Sequence, residues 1–133
     1  MWYLDTSALA KLVREEDGTR ALRRWLRTKR WIVSDLHRTE LRRAADRAGG
    51  RALARADRLL AESDVVRITA ELFDQAGRLP PPALRSLDAL HLAAARSLGG
   101  DLAGIVGYDH RLLAAAAAAG MTVASPGAGS RAR

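Results

Sequence analysis

Short apolar runs alternating with longer helical patterns constrain the fold of this chain more than any other feature. Met1–Leu4, Trp31–Ser34, Val65–Ile68, Ile105–Tyr108 and Met121–Ala124 each read as a strand, being short and apolar or β-branched. Between them, apolar residues recur at the three-to-four spacing of amphipathic helices. Ser7 to Glu15 form the first such pattern, broken at Asp17-Gly18, and Ala21, Leu22, Trp25 and Leu26 mark the second. Leu36, Glu40, Leu41 and Ala44 belong to a third, begun at Asp35 and closed by Gly49-Gly50; Arg51 to Glu62 form a fourth, and Leu72, Phe73 and Ala76 lie on a fifth. Pro80-Pro81-Pro82 cannot continue a helix and is a connector, after which Ser86 is expected to cap a helix from Leu87 to Leu98. An alanine-rich helix from His110 to Ala119 has Gly120 at its C′ position. Within 133 residues this alternation predicts one α/β domain, a mainly parallel sheet covered on both faces with any site at the carboxyl ends of its strands. The domain is expected to span residues 1–124, with 125–133 a flexible tail.

Charge and composition narrow the partners. A net charge of +7, carried mostly by arginine, suits a polyanion, because the guanidinium fork makes bidentate contacts with phosphate. Any single arginine is more simply read as solvating a helix face, so only the total charge is informative. The absence of cysteine rules out disulfides and thiolate metal sites, so a metal would need oxygen or imidazole ligands. No apolar run approaches the roughly 20 residues that span a bilayer, and MWYLDTSA lacks the basic and apolar regions of a signal peptide. A cytoplasmic protein without membrane association is therefore expected.

Four acidic residues stand out by placement. Asp5 ends the first strand, Asp109 ends a later one, Asp88 lies in the first turn after Ser86, and Glu40 sits one turn into the third helix. Topology alone brings Asp5, Asp88 and Asp109 to one rim of a parallel sheet, whereas Glu40 needs the tertiary fold to join them. Carboxylates packed together raise one another's pKa, and a hard divalent cation such as Mg²⁺ or Mn²⁺ resolves the repulsion. An acidic cluster in a basic protein is what metal-assisted phosphodiester cleavage requires, with one ion or with two about 4 Å apart. Asp5, Asp88 and Asp109 would then be ligands, and Glu40 would complete the shell or orient the attacking water. Plainer readings stay open: Asp5 as a helix cap, Asp88 as a helix-dipole partner, Glu40 as a solvated salt-bridge residue. His91 is read either as a ligand or proton shuttle or as a hydrogen-bonded rim residue, and Thr6 and Ser7 as caps or as hydroxyls supporting the site. His37 and His110 carry no distinct signal. Asp46, Asp57, Glu62 and Asp74 sit among arginines on helix faces and are read as surface.

The segments YLDTSALAKLV, SDLHRTELRRA, LRSLDALHLAAA and YDHRLLAAAAAAG followed by TVASPG, taken in order, resemble the PIN-domain toxins of VapBC toxin–antitoxin pairs, the VapC type. The resemblance runs over residues 2 to about 127. It implies a three-layer α/β/α fold, Mg²⁺- or Mn²⁺-dependent endoribonuclease activity, a homodimer, and neutralisation by a VapB-type antitoxin, with the acidic site at Asp5, Glu40, Asp88 and Asp109. One departure is Gly107, where similar sequences often carry Thr or Ser, and which removes a hydroxyl from beside the site. Phosphatases of the haloacid-dehalogenase type want a second aspartate two positions after the first, where this chain has Ser7, and a receiver-type phosphoacceptor wants paired acids there. A catalytically weak PIN-like RNA-binding module is the remaining alternative, against which stands the presence of all four acids.

Overall fold

The computed structural model describes residues 1–129. Five strands, β1 (Trp2–Leu4), β2 (Trp31–Ser34), β3 (Asp64–Val66), β4 (Gly104–Val106) and β5 (Val123–Ala124), pair in the order β3-β2-β1-β4-β5, and every pairing is parallel. Seven helices connect them: α1 (Thr6–Val13), α2 (Thr19–Leu26), α3 (Leu36–Ala48), α4 (Ala52–Glu62), α5 (Ala70–Gly77), α6 (Ser86–Arg96) and α7 (His110–Ala118). Parallel neighbours cannot be joined by tight turns, so each connection carries helix back across the sheet.

Side-chain alternation along the strands assigns the layers. Leu4, Val33 and Val106 point to one face and pack with Leu9 and Val13 of α1, Leu22 of α2, Leu41 of α3 and Leu60 of α4. Tyr3, Ile32 and Ile105 point to the other, against Leu92 and Ala95 of α6 and Leu112 and Ala116 of α7. α5 rests on α6 through Leu72, Ala76, Ala89 and Ala93, where the small alanines let the helices approach closely. The result is the expected three-layer α/β/α architecture.

From β1 the chain runs outward to β2 and β3, then crosses back to place β4 on the other side of β1. That reversal opens a crevice between the carboxyl ends of β1 and β4, the position where open α/β sheets bind ligands. Leu4 pairs with Val106, and the Asp5 N–H donates to the Val106 carbonyl at 3.0 Å, so the two chains stay in register to the last strand residue.

Local boundaries differ from expectation in several places: β3 runs Asp64–Val66 rather than Val65–Ile68, β5 is only Val123–Ala124, and α6 ends at Arg96 rather than Leu98. α1 begins at Thr6 and ends at Val13, and Asp5 is its N-cap, accepting the Ala8 N–H. Arg85 rather than Ser86 caps α6, because Arg85 already carries the extended backbone of a cap (φ −64°, ψ 145°) and Ser86 is the first helical residue. β4 stops at Val106, so Asp109 follows a two-residue exit through Gly107 and Tyr108 rather than ending a strand. Finally, Ser125–Gly129, expected to begin a tail, turn back on the domain. The Ser125 hydroxyl donates to the Gly107 carbonyl (2.5 Å) and the Tyr108 hydroxyl to the Pro126 carbonyl (2.6 Å). The rest of the expected tail, 130–133, lies outside the described residues. Among the described residues no helix is long and apolar enough to cross a membrane.

Candidate active site

Two strand-to-helix junctions, the first turn of α6 and one face of α3 carry the four acids. Asp5 is 2 % exposed at the end of β1. Its Oδ1 accepts two hydrogen bonds, from the Ser7 hydroxyl (2.6 Å) and from the Ala8 N–H (2.9 Å). Its Oδ2 is buried and meets no donor. Asp109 caps α7 in the same manner, with Oδ1 accepting the Arg111 N–H at 3.0 Å and the Leu112 N–H at 3.5 Å. On α3, half-buried Glu40 repeats the pattern: Oε1 accepts the Thr6 hydroxyl (3.1 Å) and the His91 Nε2–H (2.5 Å). Asp88, half-buried in the first turn of α6, makes no hydrogen bond to the described residues. In three of the four carboxylates one oxygen is fixed by two protein donors and the other is left to a further ligand.

These groups sense one another. Burial pushes the Asp5 carboxyl above the usual range; its bonds to Ser7 and Ala8 and the nearby His91 work against this, and Asp109 adds to it. Asp88 is likewise raised, first by burial and then by Asp109, with His91, Arg85 and Arg111 opposing. Asp109 therefore acts on both, and Glu40 is bonded to Thr6, next to Asp5 in the chain, and to His91, one turn from Asp88 on α6. Ser7 also accepts the Tyr108 N–H at 2.8 Å, tying the start of α1 to the exit from β4. Thr6 and Ser7 thus each hold a carboxylate, a role their capping chemistry does not exclude.

Gly107 explains how Asp5 reaches its position. A Cβ at residue 107 would lie 2.1 Å from Asp5 Oδ2 and 2.4 Å from its Cγ, so the carboxyl group occupies space that any side chain would fill. The change at residue 107 therefore does more than remove a hydroxyl: it sets the orientation of Asp5.

Sequence reasoning missed Tyr3, Ser34 and His37. Tyr3 is fully buried on β1, and its hydroxyl donates to Ser34 Oγ (2.9 Å) and shares a hydrogen bond with His91 Nδ1 (2.6 Å). His37, also fully buried, lies against His91 with ring centroids 4.8 Å apart. The available signal was the spacing of His37 and Glu40 at i, i+3 on α3, which puts both on one helix face.

Which of these groups could hold a cation follows from their proton inventory. His37, Glu40 and His91 offer ligand atoms within 4.8 Å of one another. Yet His37 Nδ1 accepts the Ser34 N–H at 3.0 Å, so its ring proton sits on Nε2 and that nitrogen has no lone pair to give. Burial also holds the His37 pKa well below its ordinary value, with His91 adding to the effect and the Ser34 bond opposing it. The His91 Nε2–H is committed to Glu40. The carboxylates of Asp5, Asp88 and Asp109 are hard, anionic donors of the kind divalent cations take, but among the described residues they do not join the group whose ligand atoms lie within 4.8 Å of one another. Asp5 Oδ2 and His37 Nε2 are the buried side-chain polar atoms that meet no partner among the described residues.

The PIN domain family model matches residues 2–119. The chain belongs to the PIN-domain family. Its relatives include ribonuclease VapC46 of Mycobacterium tuberculosis, 45% identical over 125 residues covering 93% of this chain and 96% of the relative. Ribonuclease VapC35 of the same organism is 45% identical over 132 residues, covering 96% and 98%. Among solved structures, the PIN-domain chain superposes on VapC20 of M. tuberculosis, described as a toxin cleaving the sarcin–ricin loop, with a TM-score of 0.74 and 23% identity over 95% of this chain and 100% of that one. At that identity the likeness concerns the fold, and it agrees with the five-stranded three-layer arrangement. The sequence relatives place this PIN domain with the VapC ribonucleases.

Proposed function

We propose that the protein is a metal-dependent endoribonuclease acting as the toxin of a VapBC pair, with Asp5, Glu40, Asp88 and Asp109 as its site. The observation that carries the reading is the shared arrangement of Asp5, Glu40 and Asp109, in which two protein donors fix one carboxylate oxygen and leave the other free on a common rim. Asp5, Asp88 and Asp109 would hold Mg²⁺ or Mn²⁺. When bound, the cation supplies charge neutralisation at the scissile phosphate. Glu40, held through Oε1, presents Oε2 to complete the shell or to accept a hydrogen bond from attacking water. Ser7 and Thr6 hold Asp5 and Glu40 in these orientations. Arg85 and Arg111, which already act on Asp88, are placed to meet the phosphate backbone, and the excess of arginine supplies the wider attraction to RNA.

The reading includes a homodimer, a VapB-type antitoxin partner and a cytoplasmic site of action. It is tested by incubating purified protein with a mixed pool of structured RNA in Mg²⁺ or Mn²⁺, beside chelator and Asp88→Asn controls. Cleavage lost in both controls is the expected result. Intact RNA bound equally by both proteins would overturn the enzyme reading in favour of an RNA-binding module.

A further inference from the structure

We infer that His91, braced by Tyr3, is a positioning residue that aims Glu40 into the site, and that the row Ser34–Tyr3–His91–Glu40 sets the register between the two helix layers. This rests on the proposed metal-dependent nuclease.

Glu40 lies inside α3, where no helix end supplies donors, and its long side chain would lose up to about 2 kcal/mol of rotamer freedom on being fixed. Thr6 gives one bond to Oε1; His91, 3 % exposed, gives the other at 2.5 Å. His91 is itself held from behind. Its Nδ1 is 2.6 Å from the Tyr3 hydroxyl, and Tyr3 in turn donates to Ser34 Oγ, which also accepts the Leu36 N–H at 3.3 Å. The His37 ring lies against His91, with centroids 4.8 Å apart and the planes tilted by 40°. The imidazole is thus held at both nitrogens, with a second imidazole beside it.

The row crosses the molecule. α3 belongs to the layer packed on Leu4 and Val33, while α6 belongs to the layer packed on Tyr3 and Ile32. Asp88 and His91 are one turn apart on α6, so the bond from His91 to Glu40 fixes where the α3 carboxylate stands relative to Asp88. Both anchoring bonds fall on Oε1, which leaves Oε2 as the oxygen directed to a ligand. A buried histidine serving the core alone would need no carboxylate partner at the edge of the acidic rim.

Three variants of the row, with Glu40→Gln beside them, test this. His91→Asn keeps a polar atom near Nδ1 but loses the donor to Glu40; His91→Gln restores a donor near Nε2; Tyr3→Phe removes only the hydroxyl. With folding checked by thermal melts, His91→Asn should lower kcat by about 10–100-fold, the usual cost of removing an orienting partner, with KM unchanged, and weaken Mn²⁺ binding measured by calorimetry. His91→Gln should recover most of both losses, and Tyr3→Phe should fall between. A downfield imidazole N–H resonance in the metal-free protein should disappear in Glu40→Gln. If the wild type cleaves and Glu40→Gln does not, while His91→Asn and Tyr3→Phe behave as wild type, the positioning role is overturned alone. Equal impairment of His91→Asn and His91→Gln, or losses that track melting temperature, would also overturn it. A wild type that neither cleaves RNA nor binds Mn²⁺ removes the nuclease reading, and the positioning role with it.

Discussion

Replacing Gly107 with alanine should destabilise the metal-free protein through Asp5. The added Cβ would stand 2.1 Å from Asp5 Oδ2, whereas Cβ atoms essentially never come closer than 3.0 Å, so the oxygen must retreat by at least 3.0 − 2.1 = 0.9 Å. The carboxyl group moves as a unit, and its other oxygen holds the Ala8 N–H at 2.9 Å and the Ser7 hydroxyl at 2.6 Å. A displacement of that size carries both beyond good hydrogen-bond distance. The Ala8 bond is the N-cap of α1, worth about 1 kcal/mol, and a bond to a charged oxygen from Ser7 is worth about 1.5 kcal/mol. Against this, Gly107 is not at positive φ, so alanine fits its backbone and restricts the unfolded chain, a gain of about 0.4–1 kcal/mol. The net loss is about 2 kcal/mol, or about 8 °C in melting temperature for a domain of this length.

The assay is a thermal melt in chelator and again in Mn²⁺. Wild type in Mn²⁺ at about 100 times its Kd should gain about 2.7 kcal/mol, and Gly107→Ala should gain less because Asp5 no longer presents Oδ2 correctly. The penalty should vanish in an Asp5→Ala background, where there is no carboxyl group to displace. A Gly107→Ala protein that melts at or above wild type in chelator, or one whose penalty persists without Asp5, would refute the reasoning.

Asp88→Asn tests the electrostatics. The folded state binds the Asp88 proton more tightly than the unfolded state does, so this contribution to stability is present below the unfolded pKa of about 3.8 and is lost as pH rises through the raised folded value. In chelator the variant should therefore melt higher than wild type near neutral pH, and the gap should close toward pH 4; an unchanged gap across that range would show that the carboxylate carries no penalty. Asp109→Asn should abolish cleavage and Mn²⁺ stabilisation without lowering the chelator melt, since asparagine caps a helix as well as aspartate and removes the repulsion that Asp109 exerts on Asp5 and Asp88, and calorimetry with Mn²⁺ decides the point. Thr6→Val should reduce kcat by removing one of the two bonds on Glu40, and Thr6→Ser should restore it. RNA affinity should fall as salt rises, with log K against log salt giving a slope of about −0.7 per phosphate contacted on a single strand, measured by filter binding.

What could be read from the sequence was what is local. Asp5 and Asp109 stand where an apolar run meets a helix start, and their capping bonds span two or three residues, so placement and role are written within a few positions. The five-stranded parallel sheet followed from the same junctions. Glu40 and His91 are separated by 51 residues, and Tyr3 and His91 by 88, and no periodicity in α3, α6 or β1 declares those pairings. Tyr3 looks like any strand aromatic until the hydroxyl is found facing an imidazole. Gly107 looked like a lost hydroxyl because the space it clears belongs to a residue about a hundred positions earlier. Ser125–Gly129 read as a tail because their anchors are backbone carbonyls and a tyrosine hydroxyl, which composition does not register.

The manner in which the fold holds four carboxylates together argues for what completes them. Asp5 and Asp109 cap α1 and α7, and Asp88 lies in the first turn of α6, so three helix N-termini direct partial positive charge at the rim. Each such terminus stabilises a nearby anion by about 0.3–1 kcal/mol. Glu40, inside α3, has no such terminus and receives His91 and Thr6 instead. Even so, burial and mutual repulsion leave Asp5 and Asp88 with raised pKa values, so the protein's own donors do not balance the charge they gather. Further donors on the inner oxygens would complete that balance within the protein and leave nothing to bind. Under the proposed reading, leaving those oxygens free would keep the site open to a small, hard, oxygen-seeking cation, whereas a bound phosphate alone would add to the repulsion.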